Sequence, residues 1–357
     1  MVNETICYDI TSTKGRQIEL DIVKGLSIFF MFIVHCYEQF YVTEIMDKGM
    51  LVHFIRFFGG PLAAPVFMTC MGISMNYTRN NTPDSFIRRG IKLFFAGYLL
   101  QIGRDMIPFI LKWWIHNESS YLSDGIYYTF GNDIMVFAGL AFIFMGLFKK
   151  SRLHDKWLIV FYLIAALLNV LLKPIQFPDN ELFAVFTGLL WGSWENSWFP
   201  FFTWIFYPIM GYFFGRKLLS VTNKDEFYKK NLFFALPCIP VLIVIMYHFH
   251  IDFGALNWLF HTSYYQHNWY GNIFIFCCFL VWISAWHFLY KYLPAIVRKT
   301  LIRWSSHINT MYCVQWIFLG FLSIIVPYYV QPLWVVGIII VCALTISDFI
   351  SYRIRGY

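Results

Sequence analysis

The feature that most restricts this chain is a series of ten apolar segments, each about twenty residues long and apolar on every side. They run near 20–43, 60–78, 88–110, 128–148, 157–173, 198–215, 231–249, 271–290, 310–329 and 332–351. As helices, such stretches cross roughly 30 Å of hydrocarbon. Strands of a closed barrel would instead alternate over about ten residues. Only 13% of the 357 residues are charged, against about 25% in soluble domains, so a watery surface cannot be covered. The sequence therefore predicts an all-α polytopic membrane protein. It reads as one integral-membrane domain, 1–357, with a short cytoplasmic segment at 1–19. A further apolar stretch, 182–194, is too short to cross and reads as a re-entrant or interfacial piece.

Charge placement gives the sidedness. With a cytoplasmic N-terminus, the alternation puts Lys14/Arg16, Arg79/Arg88/Arg89, the KKSRLHDK run at 149–156, Arg216/Lys217/Lys224/Lys229/Lys230, Lys291/Arg298/Lys299/Arg303 and Arg353/Arg355 on one face. That is twenty of the 27 basic residues. The opposite connections carry Glu44, Asp47, Glu118, Asp124, Asp179, Glu181 and Asp252. Ten spans with both termini inside satisfy the positive-inside rule, and an eleventh crossing at 182–194 would reverse every later loop. The net charge of +7 thus reports topology in a multi-pass protein of the plasma membrane and calls for no nucleic acid. Apart from Cys7, the cysteines lie inside apolar runs, so neither a disulfide framework nor a metal site is expected. The N-terminal stretch lacks the layout of a cleavable signal peptide, and the first apolar run reads as a retained span.

Ionisable residues within a span cost about 2.5–3.5 kcal/mol each on insertion scales. The first span holds Asp21, Lys24, His35 and Glu38. At about 100° per residue, His35 falls roughly 20° around from Lys24, with Asp21 and Glu38 about 60° and 40° to either side, so all four share one stripe. The rise places His35 about 16 Å beyond Lys24. Asp21 and Lys24 can neutralise each other as i,i+3 neighbours. His35 reads either as a satisfied buried imidazole or as a base whose ring Glu38, one turn away, orients. His53 and Arg56 fall in the first outward loop, Arg104 and Asp105 at the outer end of the third span, and Asp133 at the start of the fourth. Asp105 reads as a solvated loop residue. The loop 250–270 adds Asp252, His261 and His267 among aromatics that suit a membrane interface.

The stretch LDIVKGLSIFFMFIVH at 20–35 resembles the start of the membrane-bound acyltransferase-3 superfamily, which has a basic residue and a His with ten residues between them. Here these are Lys24 and His35. GGPLAAPVFMTCMGISM (59–75), FIRRGIKLFFAGYLL (86–100), NDIMVFAGLAF (132–142), WFPFFTWIFYPIMGYFFGR (198–216) and SSHINTMYCVQWIF (305–318) are similar, in this order, to the branch related to heparan-alpha-glucosaminide N-acetyltransferase. Two positions depart from the pattern. Thr203 replaces a Pro, and Gln315 stands where a late His is expected.

The resemblance implies transfer of an acyl group, commonly acetyl, from cytosolic acetyl-CoA to a hydroxyl or amine of a sugar, glycan or other extracytoplasmic acceptor. Lys24, Arg88, Arg89 and Lys92 would hold the CoA phosphates. Arg56, Arg104 and Asp133 would meet the acceptor, and His35 with Glu38, or else His53, would be catalytic. In the branch the catalytic His lies in the first loop beyond the membrane, to which His53 corresponds by position, so His53 competes with His35, the preferred base. The oligomeric state, a homodimer included, stays open. A transporter or a lipid or glycan flippase would also show many helices and a buried charged stripe, although no inverted repeat is evident.

Overall fold

The computed structural model describes residues 13–41, 50–177, 180–251 and 264–355. Among these the chain is helical throughout, and the extended pairing is an isolated bridge between Tyr41 and Gln331. The helices are α1 (Ile18–Phe40), α2 (Met50–Gly59), α3 (Ala64–Tyr77), α4 (Pro83–Gln101), α5 (Ile107–His116), α6 (Ser120–Thr129), α7 (Ile134–Lys150) and α8 (Lys156–Leu172). They continue as α9 (Glu181–Trp191), α10 (Phe201–Trp204), α11 (Phe206–Ser220), α12 (Lys224–His248), α13 (Trp269–Leu289), α14 (Ala295–Ser306), α15 (Ile308–Leu322) and α16 (Leu333–Arg355). A π-helical turn, Ile102–Met106, joins α4 to α5.

The protein is an all-α polytopic membrane protein, and each of the ten apolar windows carries a helix. Among the described residues, seven helical stretches are long and apolar enough to cross a bilayer by length and composition, including Ile18–Phe40, Pro83–His116 and Trp269–Tyr292. The windows at 157–173, 198–215 and 310–329 hold shorter helices. The stretch at 182–194 forms the eleven-residue α9, stopped at Gly192 with φ 70°.

Local signals set many of the boundaries. Thr82 accepts a bond from the Ser85 N–H, and Pro83 opens α4; Asp133, Asn223 and Asn268 likewise cap α7, α12 and α13 through their side chains. The α4–α7 pair packs through small residues, with Gly90 set against the Gly139 carbonyl so that an added Cβ would sit 2.6 Å from that oxygen. This is how helices approach closely where no hydrophobic effect drives them together. The core runs from Val23, Phe32 and Phe40 on α1 to Phe137, Tyr207, Phe274 and Phe279. Phe95, Leu99, Leu167, Phe233 and Trp334 face outward as a lipid-facing surface does.

Two expectations about the outward connections need correction. His53 and Arg56 stand on a helix, α2, rather than in a loop. Arg104 and Asp105 do not end a helix, because the helical path continues through the π-turn to His116. Pro108 explains the turn: it has no N–H for the carbonyl four residues back, that of Arg104, and its ring crowds that carbonyl. The basic connections meet pairwise. Lys149 bonds Asn81, Lys150 pairs with Asp84, and Arg216 pairs with Asp155.

Candidate functional site

Three elements build the site: the second half of α1, the π-turn with the cap of α7, and α15. His35 projects half-buried from α1. Its Nδ1 lies 3.4 Å from the Gln315 Oε1, and its ring sits 4.4 Å from that of Trp316 and 6.3 Å, edge-on, from that of Tyr312. The Trp316 ring also carries the Arg104 guanidinium, 4.7 Å from its centre, while the Trp198 ring lies 5.5 Å from the same group. Such cation–π contacts strengthen where water is excluded, and Arg104 is only 5% exposed.

Arg104 donates from Nε to Asp105 and from Nη1 to Asp133, both at 2.8 Å. The other Asp133 oxygen accepts from the Tyr312 hydroxyl at 2.7 Å and from the Met135 N–H at 3.2 Å. One side chain therefore caps α7, neutralises Arg104 and anchors α15. Two carboxylates against one guanidinium leave this cluster formally at −1, and the fields of Asp133 and Arg104 reach His35. The expectation of a solvated Asp105 does not hold, since its carboxylate turns inward to Arg104. Gly320 lets α15 seat on the π-turn: a Cβ there would run into the Arg104 carbonyl.

A second polar cluster surrounds His267, which is 2% exposed. Its Nδ1 lies 2.6 Å from the Tyr264 carbonyl, and its Nε2 lies 2.9 Å from the Tyr207 hydroxyl and 2.7 Å from the Asn272 Oδ1. Burial pushes its pKa down to about 4, so the ring is neutral at physiological pH.

The N-terminal end of α1 holds a third. Lys24 pairs with Asp21 at 3.1 Å, and Arg16 and Ser305 converge on the same carboxylate. Beside it, the fully buried Glu19 meets Lys224 at 2.9 Å and accepts from Tyr228 at 2.8 Å. Tyr228 stacks on His287, whose Nε2 lies 2.7 Å from Asp225.

The site residues expected from sequence are only partly assembled. His35, Arg104 and Asp133 come together. Glu38 is half-buried one turn beyond His35, and its field reaches Tyr264, Tyr265 and Tyr329; the ring nitrogen of His35 meets Gln315. His53 is exposed on α2 and Arg56 buried there. Arg88, Arg89 and Lys92 are exposed on α4, with Arg89 lying 4.5 Å over Phe142. That helix packs on α7, whereas α1 packs on α2, α3 and α13–α16, so Lys24 and the α4 cations form two patches. Two open grooves lie elsewhere, one along α12 from Glu226 to Cys238 and one between α14 and α16 at Arg303 and Asp348. Sequence reasoning assigns no role to Tyr312, Gln315, Trp316 or Trp198, although all four fall within segments that resemble the family. Asp252, His261, Glu44, Asp47, Asp179 and Cys7 lie outside the described residues.

A helical membrane bundle that keeps a buried arginine–carboxylate cluster beside a half-buried imidazole has a polar cluster between its helices. Over residues 16–238 the chain matches the family model described as heparan-alpha-glucosaminide N-acetyltransferase, catalytic, and it belongs to that family. It is a membrane acetyltransferase. Neither the curated proteins nor the solved structures compared with it gave a match. The matched stretch takes in His35, His53, Arg104 and Asp133 and ends before α15.

Proposed function

We propose that the chain is a single integral-membrane domain that transfers acetyl from cytosolic acetyl-CoA to an amine or hydroxyl of a glycan on the far side of the membrane. In this reading it has ten spans with both termini inside and kinship to the acyltransferase-3 superfamily. The observation that supports it most is the half-buried His35 imidazole, held between Gln315 and Trp316 beside the Arg104–Asp105–Asp133 cluster.

In the reaction, His35 takes the proton of the acceptor N–H or O–H as the heteroatom attacks the thioester carbon. The C–S bond then breaks, and the CoA thiolate leaves with the proton returned from the imidazolium. In the alternative order, His35 itself carries the acetyl group before the acceptor does. The phosphates of CoA are held by Lys24 at the N-terminal end of α1 and by Arg88, Arg89 and Lys92 on α4, since polyanions select cationic side chains. The Arg104 charge is already matched by two carboxylates, so it presents no free cation to an anionic acceptor. The net negative cluster suits an ammonium or a neutral hydroxyl, and the Trp198 ring offers a face for a sugar. In this reading Glu38, one turn beyond His35, supports the base, and Arg56 on α2 meets the acceptor.

The test is acetyl transfer by purified protein in liposomes, measured as release of free CoA thiol. His35→Ala should abolish transfer while leaving the protein folded. Full activity in that variant moves the base to His53, and loss in His53→Ala then confirms the move. Lys24→Ala and Arg89→Ala should weaken CoA binding more than acceptor binding, and an unchanged CoA Kd refutes that assignment.

A further inference from the structure

The motif position at which the family resemblance leads to the expectation of a histidine holds Gln315, and the fold brings this glutamine to His35. Its side chain is fully buried, and its Oε1 lies 3.4 Å from the His35 Nδ1. Its amide Nε2 makes no hydrogen bond among the described residues. The group this amide N–H faces is the buried thiol of Cys36, at best a weak acceptor, so the donor keeps most of its hydrogen-bonding capacity. A buried amide donor left unmade costs free energy that folding ordinarily avoids, and such groups in native sites call for an explanation. Here the donor sits on the side chain that touches the proposed base, on a helix fixed to the rest of the site by Tyr312 and Asp133.

We propose that Gln315 is a catalytic residue of the acetyl transfer, one that fixes the His35 tautomer and donates its amide N–H to the thioester carbonyl oxygen. The inference rests on the reading of His35 as the base. A glutamine Oε1 is an acceptor only, so the Nδ1 facing it carries the hydrogen and Nε2 keeps the lone pair that takes the acceptor's proton. The amide Nε2 of Gln315, on the same carboxamide, supplies the other requirement of acyl transfer, a preorganised donor for the oxygen that gains charge as the carbon becomes tetrahedral. The step is balanced. The acceptor heteroatom bonds the acetyl carbon, its proton passes to His35 Nε2, the oxyanion collapses, and the C–S electron pair leaves on CoA, which takes the proton back.

The position accounts for the departure from the expected pattern. A second imidazole at 315 could serve the donor role, but its acceptor nitrogen and donor nitrogen could not both be directed as one carboxamide directs its oxygen and nitrogen. Gln315 combines both roles in one rigid plane.

Four variants in liposomes test this, with kcat and both KM values measured by thiol release. Gln315→Leu, close in size, should lower kcat by about 100-fold, the cost of losing one such donor, with both KM values within about three-fold of wild type, since the interaction is made only in the transition state. Gln315→Glu keeps an acceptor for Nδ1–H but offers no N–H and opposes the oxyanion, and should fall at least as far. Gln315→His restores a donor and should recover to within about ten-fold of wild type. Monodisperse elution and an unchanged melting temperature of Gln315→Glu control for folding. Wild-type kcat in either Gln315→Leu or folded Gln315→Glu, or a loss confined to KM, overturns the proposal. The fourth variant, His35→Ala, separates the two levels. Full activity there moves the base to His53 and removes the Gln315 role with His35, whereas an inactive His35→Ala beside a fully active Gln315→Leu removes Gln315 alone.

Discussion

Replacing Arg104 by Met tests whether the site is held together by its buried charges. Arg104 is 5% exposed and spans Asp105 and Asp133, whose side chains are 16% and 3% exposed. Met matches the length of the aliphatic stem and can still lie on Trp316, so the substitution removes the charge and little else. The remainder is two carboxylates facing each other out of water. Breaking a buried pair by removing one partner costs about 3–5 kcal/mol, because the other charge is left uncompensated. With roughly 2–4 °C of melting temperature per kcal/mol for chains of 150–250 residues and less for longer ones, the loss is on the order of 10 °C.

The assay is thermal unfolding in detergent, with Lys150→Ala as the control. Lys150 pairs with Asp84 at 3.5 Å, but both side chains are about two-thirds exposed, and such pairs contribute about 0–1 kcal/mol. Adding Asp133→Asn to Arg104→Met removes the stranded charge while keeping a cap and an acceptor for Tyr312. The double variant should therefore be more stable than the sum of the single losses by at least about 1 kcal/mol. An Arg104→Met protein that melts within about 2 °C of wild type would refute the idea that this ion pair organises the site.

Packing and burial supply two other predictions. Gly320→Ala places a Cβ against the Arg104 carbonyl, so α15 must shift off the π-turn, at a cost of about 1–3 kcal/mol. Acetyl transfer should fall with it, and melting plus kcat check both. His267 is neutral in the folded state because its pKa is depressed to about 4, while the unfolded chain titrates near 6.5. Its contribution is complete above about pH 6.5 and declines as the pH falls toward 4, by about 3 kcal/mol in all. His267→Gln should flatten the acid side of the stability profile measured by melting between pH 7 and pH 4, and an identical acid slope would refute the assignment.

The helices are legible in the sequence because apolar length alone identifies them: each window, from 20–43 to 332–351, carries one. The stripe on α1 is legible too, since helical periodicity puts Lys24 and His35 on one face, and Lys24 does neutralise Asp21 as an i,i+3 neighbour. Sequence does not supply contact at long separation. Glu19 begins the first span without any local sign of its role, yet it is fully buried because Lys224 and Tyr228, some two hundred residues on, reach it. Asp105 passes for a solvated residue because a π-turn has no composition of its own. Pro108 is the available signal, and its consequence depends on which helix lies opposite. The segment 50–59 passes for a loop because it is too short to span, although its apolar residues recur at helical spacing. Gln315 stands out in the sequence only as a departure, and its meaning requires knowing that α15 lies against α1.

The wider turn at Ile102–Met106 puts one more residue between its hydrogen-bonded partners than an ordinary helix does, where each residue turns the following side chains by about 100° around the axis. The wide turn absorbs the extra residue, so the first half keeps its face on α7 and the second its own on α6 and Tyr328. Deleting Gly103 would restore a regular repeat and remove the widened turn on which Gly320 seats α15. A single-residue change in length here therefore acts on the seat of α15 rather than on the packing of α4 against α7.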